Sequence, residues 1–223
     1  MMPVAYALLR GLAANPALPP ELLDRLVALA DDELAGVLAG RDDLGRTRAL
    51  ALARRVGEAA VSLAYGGRLA AADVEPAEWP EAALALLDRG EAPAAWARAF
   101  AVDPDPARRG RLAACPGLPA DVTERLARDP VPDVVAELAS WAPADTAARL
   151  AAHPHLSVRH AVAGNDATPS AVLESLLTGE GLPRLAAAVS APPRRRRRSP
   201  SCCPASAAAA TTSPPSAASA KPC

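Results

Sequence analysis

The sequence predicts an all-α fold: a solenoid of about eight short helical repeats over residues 4–191, followed by a disordered tail over residues 192–223. Three observations lead to this prediction. One segment returns at regular intervals, proline and acidic residues mark helix boundaries inside each copy, and the pattern stops at Pro192. Because so short a unit cannot bury its own apolar stripe, neighbouring units are expected to stack on one another.

The repeat is clearest at residues 12–19, which read LAANPALP. It returns as LAACPGLP at residues 112–119 and as VAGNDATP at residues 162–169. Weaker copies fill the intervals, and the repeat starts are 12, 38, 63, 86, 112, 138, 162 and 185. Steps of 23–26 residues separate the starts, and such regularity indicates a repeat architecture even in an alanine-rich chain.

Each unit reads as a helix, a turn and a second helix. In the first unit, residues 5–15 are predicted to be helical, and Pro16 ends this helix because proline cannot continue the hydrogen-bond ladder. Pro20 opens the second helix, and Glu21 and Asp24 occupy its first turn, where the helix dipole favours negative charge. A unit of about 25 residues is too short for HEAT, armadillo or tetratricopeptide repeats. The strand pattern of ordinary leucine-rich repeats is absent.

The consensus LAxNPxLPxxLLxRLAxDPxxxVR resembles the leucine-rich repeat variant family, with its sharpest copies in the first unit and in residues 107–177. The resemblance covers most of residues 4–191. It implies a right-handed superhelix in which α-helices alternate with 3-10 helices and strands are lacking. The founding member of the family carries an iron–sulfur cluster held by clustered N-terminal cysteines. Because this chain has no cysteine before Cys115, no cofactor is predicted.

The four cysteines, Cys115, Cys202, Cys203 and Cys223, do not have the spacing of a disulfide framework. A reducing cytoplasm is therefore the predicted location. No segment approaches the roughly 20 apolar residues needed to span a bilayer, so no membrane partner is expected. Cys115 stands where the first unit has Asn15, at a helix C-terminus, and is predicted to be structural.

Charge is divided unevenly along the chain. Residues 4–191 hold 18 arginines and 25 acidic residues, a net charge of −7, which is not typical of a nucleic-acid-binding surface. The tail holds five consecutive arginines and Lys221 and no acid. One hypothesis is a basic arm that contacts nucleic acid through Arg194, Arg195, Arg196, Arg197 and Arg198. The other, which is preferred, is a shifted reading frame in the GC-rich coding sequence of a high-GC bacterium.

Three histidines, His153, His155 and His160, cluster closely enough to suggest a metal site. Zinc requires three or four convergent ligands. His153 and His155 flank a proline at a repeat junction where other units have aspartate, at residues 103–105 and 129–130. These histidines are therefore interpreted as surface turn residues, and no metal site is predicted.

Catalytic motifs are missing from the sequence: it contains no G-x-S-x-G, no glycine-rich phosphate loop, no H-E-x-x-H and no CxxC. The strongest enzyme alternative is a helical-repeat DNA glycosylase. Its candidate residues are Trp79, Trp96, Trp141, Arg108, Arg109 and Arg111. These residues fall at different phases of their repeats, so packing explains the tryptophans equally well.

The predicted function is a non-enzymatic protein–protein interaction or scaffold module with an extended solenoid surface and a protein partner. Nucleic-acid binding through the arginine tail is the first alternative, and a glycosylase-like enzyme is the second. The identity of the partner, the face that binds it and the oligomeric state are not predicted.

Overall fold

The computed structural model describes residues 4–179; the predicted repeat start at 185 and the predicted tail lie outside the described residues. Within the described range the chain forms thirteen α-helices, one 3-10 helix and no strand, which confirms the all-α class. In chain order the elements are α1 (Val4–Ala14), α2 (Pro20–Leu29), α3 (Asp32–Ala39), α4 (Gly45–Arg55), α5 (Ala59–Tyr65), the 3-10 helix Ala71–Asp73, α6 (Pro80–Asp88), α7 (Ala94–Phe100), α8 (Pro106–Ala113), α9 (Ala120–Leu126), α10 (Pro132–Trp141), α11 (Ala144–Leu150), α12 (Leu156–Ala163) and α13 (Ser170–Gly179).

These elements form seven consecutive pairs, and the first helices of the pairs pack against one another in order. Contacts run from α1 to α3, from α3 to α5, from α5 to α6, and then through α8 and α10 to α12. We call these seven helices the first row. The leucines at four of the repeat starts, Leu38, Leu63, Leu86 and Leu112, lie in this row and are completely buried. Burying a leucine contributes about 1.5–3 kcal/mol, so the row forms the core of the structure.

The second elements α4, α7, α9 and α11 each contact the first-row helices before and after them, whereas α2 contacts α1 and packs mainly on α4. Six of the seven second elements are α-helices, α2, α4, α7, α9, α11 and α13. The family resemblance implies a 3-10 helix at this place in every repeat. Within residues 4–179, however, a 3-10 helix occurs only at Ala71–Asp73, in the third pair.

Proline and aspartate begin several helices, and the start at Pro20 is one that the sequence pattern predicts. Pro20 and Pro132 lie in the first turn of α2 and α10, where a missing N–H breaks no intrahelical bond. Asp31 caps α3 by accepting a hydrogen bond from the N–H of Leu34 at 2.9 Å. The α1 helix ends at Ala14, one residue before the predicted end.

Side chains one repeat apart join neighbouring pairs. Arg41, which directly follows α3, donates hydrogen bonds to the carbonyls of Ala13 and Asn15 at 2.6 and 2.7 Å. Asn165, which holds the same place after α12, donates to the carbonyls of Ala139 and Ala142, both at 2.8 Å. The last carbonyls of a helix have no intrahelical partner, so the bonds to Ala13, Ala139 and Ala142 satisfy groups that burial would otherwise leave unpaired, whereas the Asn15 carbonyl also accepts from the N–H of Leu18. We call such bonds cross-pair ties.

Further cross-pair ties come from arginines in the other pairs. The receiving carbonyl lies 24–27 residues earlier in the sequence, one repeat away. The donors are Arg55, Arg68, Arg89 and Arg125, and their acceptors are the carbonyls of Ala30, Arg41, Tyr65 and Ala101. These arginines therefore hold neighbouring pairs together and also contribute positive charge to the surface.

Candidate functional site

The tail arginines predicted as a possible nucleic-acid contact, Arg194, Arg195, Arg196, Arg197 and Arg198, lie outside the described residues. Three other groups of candidates lie inside them: the histidine cluster, the buried cysteine and the set of tryptophans and arginines. Their surroundings decide which of them a ligand could reach.

The histidines take the place of aspartates at the junction before α12. The Asp103 carboxylate accepts a hydrogen bond from the N–H of Asp105 at 2.8 Å, and the Asp129 carboxylate accepts one from the N–H of Val131 at 2.9 Å. At the later junction, Nδ1 of His153 accepts the corresponding bond from the N–H of His155 at 3.1 Å. His153 thus closes the same two-residue turn that aspartate closes elsewhere. Among the described residues, no group of three histidine, cysteine or acidic side chains is arranged to hold a metal ion.

Cys115 lies in the core directly after α8 and its capping residue. Its side chain contacts the carbonyls of Arg111 and Leu84, at 3.4 and 4.0 Å from Sγ. Burial, with a smaller contribution from Asp88, raises the pKa of the thiol to about 12. A thiol with so high a pKa is a poor nucleophile at neutral pH, and this environment is that of a packing residue.

The three tryptophans lie on different elements. Trp79 caps the start of α6, Trp96 lies within α7, and Trp141 ends α10, where its indole N–H donates to Glu137 at 3.0 Å. The arginines proposed beside them are paired with acids of the chain. Arg109 is held by Asp129 at 2.6 Å, whereas Arg108 and Arg111 both pair with Glu81.

Internal pairing extends to nearly all arginines that the structure describes. Twelve of the seventeen form ion pairs, and three more donate to backbone carbonyls. Within residues 4–179, only Arg25 and Arg54 lack such a partner. By contrast, eight exposed acids have side chains that form neither an ion pair nor a hydrogen bond with a described residue: Glu21, Asp32, Glu58, Glu75, Glu78, Asp133, Asp145 and Asp166. The surface charge that internal pairing leaves unneutralised is therefore predominantly negative.

The third pair departs from the others because its second element is a single 3-10 turn. The Asp73 carboxylate closes this turn by accepting from the N–H of Ala70 at 2.9 Å, and Arg46 pairs with the same carboxylate. Pro76 prevents the turn from growing into a helix, because proline disfavours the helical conformation of the residue before it. The residue so restricted is Glu75; Val74 before it already has extended backbone angles, and the chain proceeds to α6 without a second helix.

A cleft of about 790 Å³ opens where that helix is missing. One wall consists of the 3-10 turn and the loop after it, and the other consists of α7 and the turn that follows. Trp96, Ala99, Phe100 and Asp103 share one face of the second wall because helical residues three and four apart are neighbours. The side chain of Phe100 is buried, whereas that of Trp96 is half-buried.

Two carboxylates, Glu75 and Asp103, lie at this cleft, and none of the described residues that line it is basic. Asp103 is engaged by its turn and by Arg108 at 3.4 Å, and its side chain is only 14% exposed. Glu75 is exposed and forms no ion pair with any described residue. The cleft therefore combines an accessible aromatic ring with an unneutralised carboxylate.

A second cleft, lined by residues of α9 and the junctions on either side of it, has a different character. Its acids and arginines neutralise one another: Arg109 pairs with Asp129, and Arg128 pairs with Glu124 at 2.9 Å. Burial by itself would raise the pKa of Asp129, but hydrogen bonds from Arg109 and from the N–H of Val131 outweigh it and hold the pKa below its usual value. The charges of this second cleft are committed to holding pairs together.

Sequence reasoning named Trp96 only as part of a glycosylase set and did not single out Glu75 or Phe100. A signal was nonetheless present, because residues 66–79 are where the repeat pattern is weakest and where Pro76 interrupts the expected second helix. Pro76 interrupts the helix locally, and the sequence shows this. The spacing of residues 66–79 along the chain does not show that they lie close to α7.

No helix among the described residues is long and apolar enough to cross a membrane. Comparison with known proteins found no family model, no curated protein and no solved structure that matches this chain.

Proposed function

We propose that this chain is a non-enzymatic scaffold that binds a protein partner along an extended, predominantly acidic surface. The single observation that supports the proposal is the division of charge described above. The arginines are engaged within and between helix pairs, while eight exposed acids meet no described counter-ion. A partner with a basic surface would supply those counter-ions, and complementary potentials of this kind speed association and exclude like-charged competitors.

The helical array suits this role. Each first-row helix packs on the next in sequence order, and such stacking is typical of a solenoid, here proposed to belong to the leucine-rich repeat variant family. A solenoid offers much surface for its volume, which favours contact with another macromolecule over an enclosed reaction chamber. The cytoplasmic location stays a prediction from cysteine usage.

The two alternatives draw less support. In the glycosylase hypothesis, Arg108, Arg109 and Arg111 would have to meet phosphates, yet each already pairs with an acid of the chain. Nucleic-acid binding through the arginine tail rests on residues outside the described part of the chain. If it occurs, its affinity should fall steeply with salt, because each neutralised phosphate releases counter-ions.

Affinity capture followed by chemical cross-linking tests the scaffold proposal. The full chain is compared with a variant in which residues 194–198 are replaced by alanine, and with an acid-neutralised variant carrying Glu21→Gln, Asp32→Asn, Asp133→Asn and Asp145→Asn. We expect the tail variant to retain its protein partner. The acid-neutralised variant should bind it at least about 10-fold more weakly, since each rim charge contributes modestly.

A matched control removes positive instead of negative surface charge: Arg25→Gln and Arg54→Gln neutralise the two described arginines that have no acid or carbonyl partner, and capture should stay unchanged or improve. Tight duplex binding or base excision by the tail variant would instead favour the glycosylase alternative. Capture that depends on residues 194–198 and yields nucleic acid would favour the tail alternative.

A further inference from the structure

We propose that the cleft between the 3-10 turn and α7 receives an arginine or lysine side chain of the protein partner. This inference rests on the proposed function and specifies the chemistry of one contact within it. Its starting point is the missing second helix of the third pair, which leaves the side of α7 that carries Trp96 and Phe100 without a neighbouring helix.

The walls suit a side chain with an apolar stem. Ala71, Ala72 and Val74 line one side, and Ala99 and Phe100 line the other. These residues are apolar and mostly small, so a methylene chain can pass between them and bury its surface against Ala72 and Ala99, which are exposed, while Val74 and Phe100 are buried. Arginine and lysine commonly bury their stems in this way while their charged ends stay at the rim.

The rim suits a positive charge. The half-buried ring of Trp96 offers a π-face, and indole is the aromatic group that attracts cations most strongly. Glu75 adds a carboxylate that has no described counter-ion, whereas Asp103 adds a second negative charge already shared with Arg108. Because none of the described lining residues is basic, an incoming guanidinium or ammonium group displaces no cation of the chain.

The second cleft, which is lined by residues of α9, does not suit a cationic side chain, so the proposal concerns the cleft at Trp96 alone. In the cleft around α9, the acids are already paired: Asp129 with Arg109, Glu124 with Arg128 and Arg149, Asp121 with Arg98, and Asp103 with Arg108, which leaves no unmet negative charge for a ligand. The same partner side chain would have to compete with those internal pairs. The cleft at Trp96 is therefore the place where the acidic surface has both depth and an unneutralised carboxylate.

The test is a titration of the full chain with three capped pentapeptides in which a central residue is flanked by alanines. The central residue is arginine, lysine or citrulline, the last being an uncharged analogue of arginine with nearly the same shape. Binding is followed by nuclear magnetic resonance through the indole N–H signal of Trp96, assigned by its loss in Trp96→Phe. We expect saturable shifts with arginine and lysine, and at least about 5-fold weaker binding of the citrulline peptide.

Two variants that each remove one negative charge from the same loop provide the matched comparison. Glu75→Gln should weaken the arginine peptide about 3- to 10-fold and abolish most of the preference over citrulline. Glu78→Gln removes an equally exposed charge that does not line the cleft, and it should change affinity less than 2-fold. Both substitutions are at exposed positions, so the test does not depend on a variant that fails to fold.

Equal affinity for the arginine and citrulline peptides, or equal loss in Glu75→Gln and Glu78→Gln, would overturn the proposal. Replacing residues 194–198 by alanine should leave peptide affinity unchanged. A gain of more than about 3-fold would mean that the chain's own tail competes for the cleft, and would overturn the assignment to a partner. Partner capture that survives Glu75→Gln unchanged rejects the cleft contact alone, whereas absence of any captured partner rejects the scaffold function.

Discussion

The pair formed by α8 and α9 and the pair formed by α5 and the 3-10 turn share their first element and differ in their second. In both pairs the first helix is held in the first row by a completely buried leucine, Leu112 or Leu63. The α8–α9 pair follows the sequence repeat closely and has two helices. The α5 pair lies where the repeat is degenerate, and its second element is reduced to three residues.

This difference teaches where the array can tolerate change. The first row must be continuous, because each of its helices is covered by its two neighbours in the row. The second elements α4, α7, α9 and α11 contact the adjacent first-row helices, and in the third pair the second element is only three residues long while α5 still packs on α6. The place where the second element shrinks is also the place where a cleft with an unneutralised carboxylate appears. Departure from the repeat is thus associated with a surface cleft and not with a loss of core.

The largest expected effect comes from leucines of the first row. Leu63→Ala and Leu112→Ala should each lower the free energy of unfolding by about 3 kcal/mol, since both side chains are completely buried and little can relax into the space. Urea denaturation followed by circular dichroism measures this loss. Leu156→Ala, at a side chain 43% exposed, should cost less than about 1 kcal/mol. A much smaller loss for Leu63→Ala than for Leu112→Ala would mean that the row is interrupted at α5.

Next in size are the cross-pair ties of Arg41 and Asn165, which hold the same place after α3 and α12. Asn165→Leu should cost about 2 kcal/mol because it leaves two carbonyls without their donor in a buried setting. Arg41→Met should cost about as much, because it leaves the buried Ala13 carbonyl without its donor and removes the bond to Asn15 and the ion pair with Asp43. Thermal and urea denaturation of both variants gives the comparison. Arg54→Met changes an exposed arginine with no tie and should stay within about 0.5 kcal/mol. Neutral behaviour of either tie variant would show that water replaces the lost donor.

A smaller, pH-dependent effect is expected at Asp129, whose pKa in the folded chain is below that of the unfolded chain. Because the pKa of Asp129 is lower in the folded chain, its ionised carboxylate stabilises the fold fully at pH values above the pKa of the unfolded chain, near 3.9. This stabilisation is lost as the pH falls from there toward the pKa of the folded chain. Asp129→Asn should therefore be less stable than the natural chain at pH 7, and the gap should narrow at pH 3. Asp133→Asn, at an exposed acid without an ion pair, should show no comparable change. A gap of constant size would mean that the Asp129 contribution does not depend on its charge.

The last prediction concerns the reactivity of the Cys115 thiol, which lies where α8 meets α6. In a chain with Cys202, Cys203 and Cys223 replaced by serine, iodoacetamide at pH 8 should modify Cys115 at least about 100-fold more slowly in the folded state than in urea. The cause is burial, which raises the pKa of the thiol to about 12 and so suppresses the thiolate. Mass spectrometry of timed samples measures both rates. Similar rates in the two states would place the thiol within reach of solvent.

Much of the fold could be predicted from the sequence because its signals are short-range. The prolines that open α2 and α10 act within one turn, and the repeat steps follow the spacing of the buried leucines. The turn role of His153 could also be predicted, since Asp103 and Asp129 hold the same place in other units. The family resemblance misled in one respect, because the second elements of six pairs are α-helices and not 3-10 helices.

The candidate site could be predicted only in part. The sequence identifies Trp96 as a candidate only because it is a tryptophan. Its proximity to Glu75 arises because the third pair lacks a second helix between them. The arginines near residue 110 were weighed as a nucleic-acid surface, and sequence spacing did not reveal that Arg109 would pair with Asp129, which lies 20 residues away. Such a pair forms because stacked units bring equivalent positions together.

By itself the sequence determined the local chemistry: an all-α chain, helices that begin at prolines and capping aspartates, and a first-row leucine in nearly every unit. Those features depend on contacts within a few residues, and the sequence records them directly. The tertiary structure alone decided which charges are left for a partner. Neutralisation depends on distances between side chains a whole repeat apart, and the stack sets those distances. It pairs nearly every described arginine and leaves Glu75 unpaired beside Trp96, because the third pair has no second helix to cover them.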